Sequence, residues 1–194
     1  LENFERLGDI LGICIIYDIM EGLYRVTEEW DKALFYLNRS FKIAKRMNNK
    51  IGIAETLNGM SIIMKLKGDL KNSMKYAKES LALARELNDS RRIAYILDNI
   101  GNIYQVIAHT SNAYRIAREW EIAIKYHQQA LILHREFGDL RGTLTALTNL
   151  GIAYKNTLWF EEALSCYTES LEIAKKIEDM ETIAHIFHNM GAVY

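Results

Sequence analysis

An eight-residue segment recurs along this chain of 194 residues, and the repetition constrains the fold more than any other feature. Its copies are "LNGMSIIM" from Leu57, "LDNIGNIY" from Leu97, "LTNLGIAY" from Leu147 and "FHNMGAVY" from Phe187. Successive copies begin 40, 50 and 40 positions apart. A fixed period of roughly 20–50 residues is the signature of stacked structural repeats.

Other positions keep the same register, so the repetition is not accidental. Small residues recur in two series, as Ala33, Ser73, Ala123 and Ala163 and as Ser40, Ser80, Ala130 and Ser170. Bulky residues recur as Trp30, Leu70, Trp120 and Phe160. Acids or amides recur as Asp9, Asn49, Asp89, Asp139 and Asp179. The short side-chain oxygens of the last series are suited to accept hydrogen bonds from free backbone N–H groups at the start of a helix.

The composition favours helices over strands. The chain contains no proline, although roughly ten would be expected at an average frequency of about 5%. Proline interrupts helices and sheets alike, but the abundance of Ala, Leu, Lys and Glu favours helix. Sustained alternation of apolar and polar residues, which is typical of a half-buried strand, is missing. The predicted fold class is all-α.

Each unit divides into two amphipathic helices. Between residues 141 and 180, the apolar stripe of a first helix comprises Leu144, Leu147, Leu150, Gly151 and Tyr154, and that of a second helix comprises Ala163, Leu164, Tyr167, Ser170, Leu171, Ala174 and Ile177. The connection at "KNTLW" is short, which predicts antiparallel neighbours. Gly101, Gly151 and Gly191, with Ser61, lie mid-helix, where glycine costs about 1 kcal/mol relative to alanine. We expect them to allow close contact with Ala or Ser of the paired helix.

The pattern Leu147-x-x-Leu150-Gly151-x-x-Tyr154, followed by Ala163-x-x-x-Tyr167, resembles the tetratricopeptide repeat (TPR). The resemblance covers essentially the whole chain and implies an α-solenoid of antiparallel helix pairs, wound as a right-handed superhelix. Two features depart from the family pattern: the period is 40 rather than about 34 residues, and the usual proline is replaced by Lys175. Such longer repeats are similar to those of kinesin light chains, of Leu-Gly-Asn-repeat spindle adaptors and of bacterial Rap-type regulators.

We predict a single TPR array over residues 1–194, with repeats at 11–50, 51–90, 91–140 and 141–180. Repeat 1 is divergent, with Glu21 in the glycine position. Repeat 3 contains about ten inserted residues, interpreted as lengthened helices around a turn at "HTSN". Residues 1–10 resemble the end of a preceding second helix, and residues 181–194 resemble the first helix of a further repeat. Because neither end carries a polar cap, a fragment of a longer protein is expected.

Charge and motif content exclude several classes of function. A net charge of -1 disfavours nucleic acid and acidic membranes as partners. Cys14 and Cys166 lack metal-ligand spacing, and their use fits a reducing, cytoplasmic compartment. No apolar run approaches the roughly 18 residues of a membrane span. Phosphate-binding, serine-hydrolase and zinc-protease motifs are missing from the sequence, so we expect neither an enzyme nor a cofactor.

The candidate binding residues lie on the first helices, outside the packing stripe, where a solenoid presents its concave face to ligands. One series places asparagine at Asn99, Asn149 and Asn189, with Gly59 in repeat 2 and Ile19 in repeat 1. Carboxamides can both donate to and accept from an extended peptide backbone. The family resemblance implies the same role, since the similar 40-residue repeats carry an asparagine ladder here. The alternative is that these residues tie adjacent repeats together.

A second series carries positive charge near the ends of the first helices: Arg25, Lys65 and Lys155, with Gln105 in repeat 3. A basic row beside an amide ladder suits an acidic peptide; the alternative is a solvated face with cations near helix C-termini. The predicted peptide-binding set is completed by Asn102, Asp98, His185 and His188. The two histidines lack the further ligands of a metal site. His127 and His134 are expected to pack against neighbouring repeats.

The sequence therefore predicts a protein–protein interaction scaffold that binds a peptide segment of a partner in the concave groove. The alternative function is a ligand- or peptide-sensing regulatory arm of a larger signalling or transcription-control protein. Self-association through the uncapped terminal helices is a third alternative, which light scattering over a concentration series would detect.

Overall fold

The structure, a computed structural model, describes residues 19–193, with the side chains of all but residues 113 and 114. Within this range nine helices follow one another without a strand, which confirms the all-α prediction. They are α1 (described from 19 to 26), α2 (Trp30–Arg46), α3 (Lys50–Leu66), α4 (Leu70–Glu86), α5 (Ser90–Thr110), α6 (Ala113–Glu136), α7 (Leu140–Asn156), α8 (Phe160–Lys176) and α9 (Met180–Gly191).

The chain divides into two compact units, Leu1–Asp89 and Ser90–Tyr194. In unit 1, α3 packs against both α2 and α4; in unit 2, each helix from α5 to α9 packs against the next, and α5 also contacts α7. Packing of sequential helices on one another is the arrangement of an α-solenoid, as predicted. The predicted repeat bounds stay predictions. The expected helix end at 1–10, the first eight residues of repeat 1 and Cys14 lie outside the described residues.

Except between α5 and α6, consecutive helices are joined by three-residue turns whose middle residue has a positive φ. These residues are Glu28 (60°), Asn48 (50°), Gly68 (81°), Asn88 (51°), Gly138 (67°), Leu158 (63°) and Glu178 (58°). The following backbone N–H returns to the helix end; that of residue 139, for example, donates to the His134 carbonyl at 2.9 Å. This is the left-handed closure common at helix C-termini, and it makes neighbouring helices antiparallel.

The residue after each positive φ directly precedes the next helix, and several of these residues cap it as predicted. Asn49, Asp139 and Asp179 each accept a hydrogen bond at 3.0 Å from the backbone N–H three residues on. Asp69 does the same for α4, a second helix, at 3.1 Å. The capping role therefore extends to Asp69, which is not a member of the predicted series.

Two mid-helix glycines of unit 2, Gly101 and Gly151, face rings rather than the small residues that we expected. A Cβ at Gly151 would lie 2.4 Å from Cε1 of Tyr167, and one at Gly101 would lie 2.5 Å from Nε2 of His127. Both rings are fully buried. The expectation of a small partner holds only in unit 1, where the Ser61 and Ser73 hydroxyls are 3.3 Å apart. Glycine is required where a ring packs directly on the helix backbone.

The insertion in repeat 3 lengthens two helices around a turn, as predicted. Helix α5 has 21 residues and α6 has 24, against 17 in each of α2, α3, α4, α7 and α8. The turn lies at residues 111–112. Trp120 is buried where the added segment meets the core, with the His109 ring edge-on at 5.0 Å.

Candidate functional site

The asparagine series lies on α5, α7 and α9 of unit 2, but its members differ in exposure. Asn99 is 5% exposed, so its carboxamide lies in the interior. Asn149 and Asn189 are half-buried and reach the surface. Of the three predicted ladder residues, these two are therefore the ones accessible to a ligand.

Unit 2 brings the two predicted series together. The Lys155 amine donates to Oδ1 of Asn189 at 3.2 Å. Gln105 donates from Nε2 to the backbone carbonyl of Asn149 at 3.1 Å. In both pairs a residue at the end of one first helix contacts the ladder position of the following first helix. The Asn189 side chain therefore also fits the alternative role, in which the asparagine series ties adjacent repeats together. Its Nδ2 is a further donor beside this contact.

The basic residues of unit 1 have unlike surroundings. Lys65 is half-buried, and this burial lowers the pKa of its amine to about 8. A carboxylate placed beside it would raise this pKa again, because an opposite charge favours the protonated amine. Arg25 is exposed and pairs with Glu21 of the same helix at 3.3 Å. Such exposed pairs contribute little to stability.

The remaining predicted site residues are spread over two helices. Asn102 is half-buried on α5, and His185 and His188 are exposed on α9. Among the described residues, no group of three His, Cys, Asp or Glu side chains is arranged to hold a metal ion. Across the same residues, none of the helices has both the length and the apolar character needed to cross a membrane.

Asp98, predicted as a peptide-binding residue, lies instead in the interior of unit 2 at 5% exposure. Its Oδ1 is 2.8 Å from Nδ1 of His127, and its Oδ2 is 3.1 Å from Nε2 of His134. Both histidines are fully buried. A buried carboxylate is unfavourable unless it is paired, and these contacts use both of its oxygens. The expectation that Asp98 faces a ligand is therefore wrong.

His134 lies between two carboxylates, since its Nδ1 is also 2.9 Å from Oδ2 of Asp139. Because a carboxylate oxygen accepts, both ring nitrogens must carry hydrogens, which makes the ring an imidazolium. Burial is the largest influence on the pKa of His134 and lowers it, but the hydrogen bonds and charges of the two carboxylates together outweigh burial and raise it. Burial likewise raises the pKa of Asp139, but hydrogen bonds from Gly142, Tyr95 and His134 outweigh it, so that this pKa is lowered.

His127 is held in one tautomer through Gln105. The Gln105 Nε2 must donate to the carbonyl of Asn149, so its second hydrogen points to Nε2 of His127, 3.1 Å away. That ring nitrogen accepts, and Nδ1 therefore carries the hydrogen that goes to Asp98. The buried cluster of Asp98, His127, His134 and Asp139 is thus connected to the accessible face at Asn149.

This cluster was not predicted from the sequence, although a signal was present. His127 occupies the position that Tyr167 has 40 residues later, and His134 occupies that of Ala174. Two histidines replacing residues of the packing stripe, with an acid of the capping series at 139, mark repeat 3 as different. The sequence did not show that both rings would share one carboxylate, since Asp98 lies on another helix.

Comparison with known proteins agrees with this arrangement. A tetratricopeptide repeat family model matches residues 107–176, which include α6, α7 and α8. This segment is tetratricopeptide-repeat sequence. The predicted TPR resemblance is confirmed, and the helix pairs outside the match share the same fold. No protein of curated function matches the sequence of the chain.

Solved structures show that the TPR fold extends along the chain. BtubC (BKLC) from P. vanneervenii is 16% identical with a TM-score of 0.81, over 100% of this chain and 78% of that protein. The apo form of RapI is 17% identical with a TM-score of 0.78, over 95% and 64% respectively. A signal transduction ATPase (STAND protein) with a TPR sensor from Pyrococcus horikoshii is 20% identical with a TM-score of 0.73, over 93% of this chain and 27% of that protein. At these identities the likeness shows the fold alone, and this chain spans only part of each protein.

Proposed function

We propose that this TPR chain is a non-enzymatic interaction scaffold that binds an extended peptide segment of a partner protein along the first helices of unit 2. The observation that carries the proposal is the polar row formed by Gln105 with Asn149 and by Lys155 with Asn189. TPR arrays are generally protein-binding scaffolds rather than enzymes, and solenoids present such rows on extended binding surfaces.

Recognition would rest on donors held in place before the ligand arrives. Lys155 engages Oδ1 of Asn189 and so orients the carboxamide, whose Nδ2 then donates to a peptide carbonyl. Preorganised donors lose less conformational entropy on binding than free side chains do. The half-buried ammonium of Lys155 favours an acidic peptide, since partial burial strengthens its attraction to a carboxylate. The unit 1 amine of Lys65 is proposed to favour acidic side chains in the same way.

The test is an affinity pull-down with mass-spectrometric identification, comparing the wild type with the variant Asn149→Ala/Asn189→Ala. The matched control is Asn156→Ala on α7, an exposed asparagine that donates only to the Ile152 carbonyl of its own helix, at 2.8 Å. All three proteins must show the same helical circular-dichroism melt. We expect a partner that is lost with the double variant and retained with the control. A partner retained equally by both variants would place binding elsewhere and refute the asparagine ladder.

The buried member of the series allows a further discrimination. Adding Asn99→Ala should change the melting temperature more than the affinity, because that side chain lies in the interior. If Asn99→Ala alone abolishes binding while the melt is unchanged, Asn99 must become accessible in the complex. That result would revise the proposed binding face to include α5.

A regulatory arm is the second candidate function. It is supported by the fold similarity to the STAND protein, whose TPR segment is described as a sensor. In that case this chain would bind its peptide or small ligand on the same face and act on an attached domain. We also propose a cytoplasmic location and, as a further option, self-association. Sedimentation of the free chain from low to high concentration distinguishes a self-associating chain from one that binds only a different partner.

A further inference from the structure

A cavity of about 420 Å³ lies in unit 1 between α2 and α3. Small residues line much of it: Ser40 and Ala44 on α2, and Gly52 and Gly59 on α3, together with Met47 and Asn49 from the turn between the two helices. The volume falls within the range of about 300–1,000 Å³ that is usual for small-ligand sites. None of these residues belongs to the proposed peptide-binding row of unit 2.

The same helix pair in unit 2 shows what fills the space there. Helices α6 and α7 carry the equivalent residues 90 positions later, so that Ala44 corresponds to His134 and Asn49 to Asp139. His134 is fully buried and donates to Asp139, as described above. Unit 1 therefore has an alanine where unit 2 has an imidazole ring.

The frame that accommodates the ring is nevertheless present in unit 1. A Cβ at Gly142 would lie 2.0 Å from Nδ1 of His134, so the ring requires glycine at this position, and Gly52 keeps it. Gly52 donates to Oδ1 of Asn49 at 3.0 Å, as Gly142 donates to Oδ1 of Asp139 at 3.0 Å. The chain thus repeats the glycine and the capping bond but not the ring.

A buried hydroxyl in the cavity wall also lacks a partner. Ser40 is 5% exposed, and its hydroxyl makes no hydrogen bond. The equivalent serines of other repeats are satisfied: Ser80 donates to the Ala54 carbonyl at 2.6 Å, and Ser170 donates to that of Tyr167 at 2.9 Å. Buried polar groups are normally hydrogen-bonded, and those without a partner call for an explanation such as a missing ligand.

We infer that this cavity binds an uncharged imidazole ring, such as the side chain of a histidine in a partner protein. Two carboxylates also line the cavity: Glu21, which pairs with Arg25 at 3.3 Å, and Glu55, which is exposed. Asn49 nevertheless decides the charge of the ring, because it stands where Asp139 holds His134. Its Oδ1 is engaged with Gly52, so its Nδ2 takes the place of the carboxylate oxygen that holds His134. An amide nitrogen donates, and only a neutral imidazole has a nitrogen that accepts. The N–H of the ring remains available to a second acceptor, for which the Ser40 hydroxyl is the nearest unsatisfied candidate in the wall.

Free imidazole is the probe, titrated into the whole chain and followed through the ¹³C-methyl signals of Met47 and Ala44. We expect saturable binding with a Kd on the order of 1 mM, since a ligand of this size gains little binding energy. Binding should be at least about tenfold weaker at pH 5.5 than at pH 7.5, because an imidazole ring, whose pKa is about 6.5 or slightly above, is mostly protonated at the lower pH. Equal or tighter binding at pH 5.5 would overturn the inference, since it would show a site for imidazolium.

Two variants test the location. Ala44→His supplies the ring from α2 and should abolish imidazole binding, whereas Lys45→His, which places the same ring on the exposed side of that helix, should leave it unchanged. Ser40→Ala should weaken binding about two- to tenfold, as expected for one lost hydrogen bond. It removes a hydroxyl that has no partner, so the fold should tolerate it even if Ala44→His does not fold. Binding that is unaffected by Ser40→Ala would overturn the inference, whatever the pull-down shows for unit 2.

Discussion

Replacing His134 by alanine should strongly destabilise unit 2, because it removes the cation between two carboxylates. The ring is fully buried, with one nitrogen 3.1 Å from Asp98 and the other 2.9 Å from Asp139. After the substitution Asp98 would keep only His127, and Asp139 would keep Tyr95 and Gly142. Removing one partner of a buried ion pair typically costs about 3–5 kcal/mol, because the remaining charge stays buried without compensation. That is a large part of the about 5–15 kcal/mol that stabilises a typical domain.

The pH dependence of this loss follows from the two pKa shifts. The pKa of His134 is raised in the folded state, so its stabilisation is complete below the unfolded value of about 6.5 and is lost as the pH rises through the folded value. The pKa of Asp139 is lowered, so its stabilisation is present above the unfolded value of about 3.8 and is lost as the pH falls through its folded value. The difference between wild type and His134→Ala should therefore be largest between about pH 4 and 6.5.

Urea unfolding followed by circular dichroism at several pH values measures this difference. His188→Ala is the control, since that histidine is exposed on α9 and its loss should cost less than about 0.5 kcal/mol. The double variant His134→Ala/Asp139→Asn should recover more than about 1 kcal/mol relative to the sum of the single losses, because it also removes an uncompensated charge. Asparagine retains the cap at this position, as Asn49 shows in unit 1. A loss below about 1 kcal/mol, or one that keeps growing as the pH rises above about 6.5, would refute the assignment of a buried imidazolium.

Three further predictions concern single side chains. Gly151→Ala should lower the free energy of unfolding by about 1–3 kcal/mol, since its methyl group would displace the buried Tyr167 ring. Gly191→Ala is the control and should be neutral or stabilising, because a Cβ there would have nothing within 4 Å. Equal thermal melts of the two variants would contradict this prediction. Burial raises the pKa of the Cys166 thiol to about 11, so iodoacetamide at pH 8 should alkylate it far more slowly in the folded chain than in urea, as peptide mass spectrometry would show. Burial lowers the pKa of the Lys65 amine to about 8, and NMR titration of the ¹³C-dimethylated amine should give a midpoint near that pH rather than near 10.5.

The helices and their packing stripes were predictable because both depend on local sequence. Leu144, Leu147, Leu150 and Tyr154 recur with the helical period, and all four are buried in the structure. The caps at Asn49, Asp139 and Asp179 were equally accessible, since a cap involves residues only three positions apart. The insertion was recognisable because the residues on either side of it keep the register of the repeat.

The polar site was less predictable because its contacts join different helices. Exposure of the asparagine ladder was assumed from the register alone, yet Asn99 is buried while Asn149 and Asn189 are not. Asp98 was assigned to the surface, although its two imidazole partners lie 29 and 36 residues away in the sequence. Periodicity gives the direction of a side chain from its own helix but not the chemistry of the residue that it meets.

The contact of a mid-helix glycine with a ring of the paired helix has a consequence for how such chains diverge. Gly101 is matched with His127 and Gly151 with Tyr167, while in unit 1 Ser61 replaces the glycine and Ala77 stands at the position of the ring. A larger residue on the first helix is accommodated only when the second helix gives up its ring. The two positions are therefore energetically coupled. A consensus repeat assembled column by column, or a repeat combined from two homologues, should lose stability wherever a larger residue at the glycine position meets a ring.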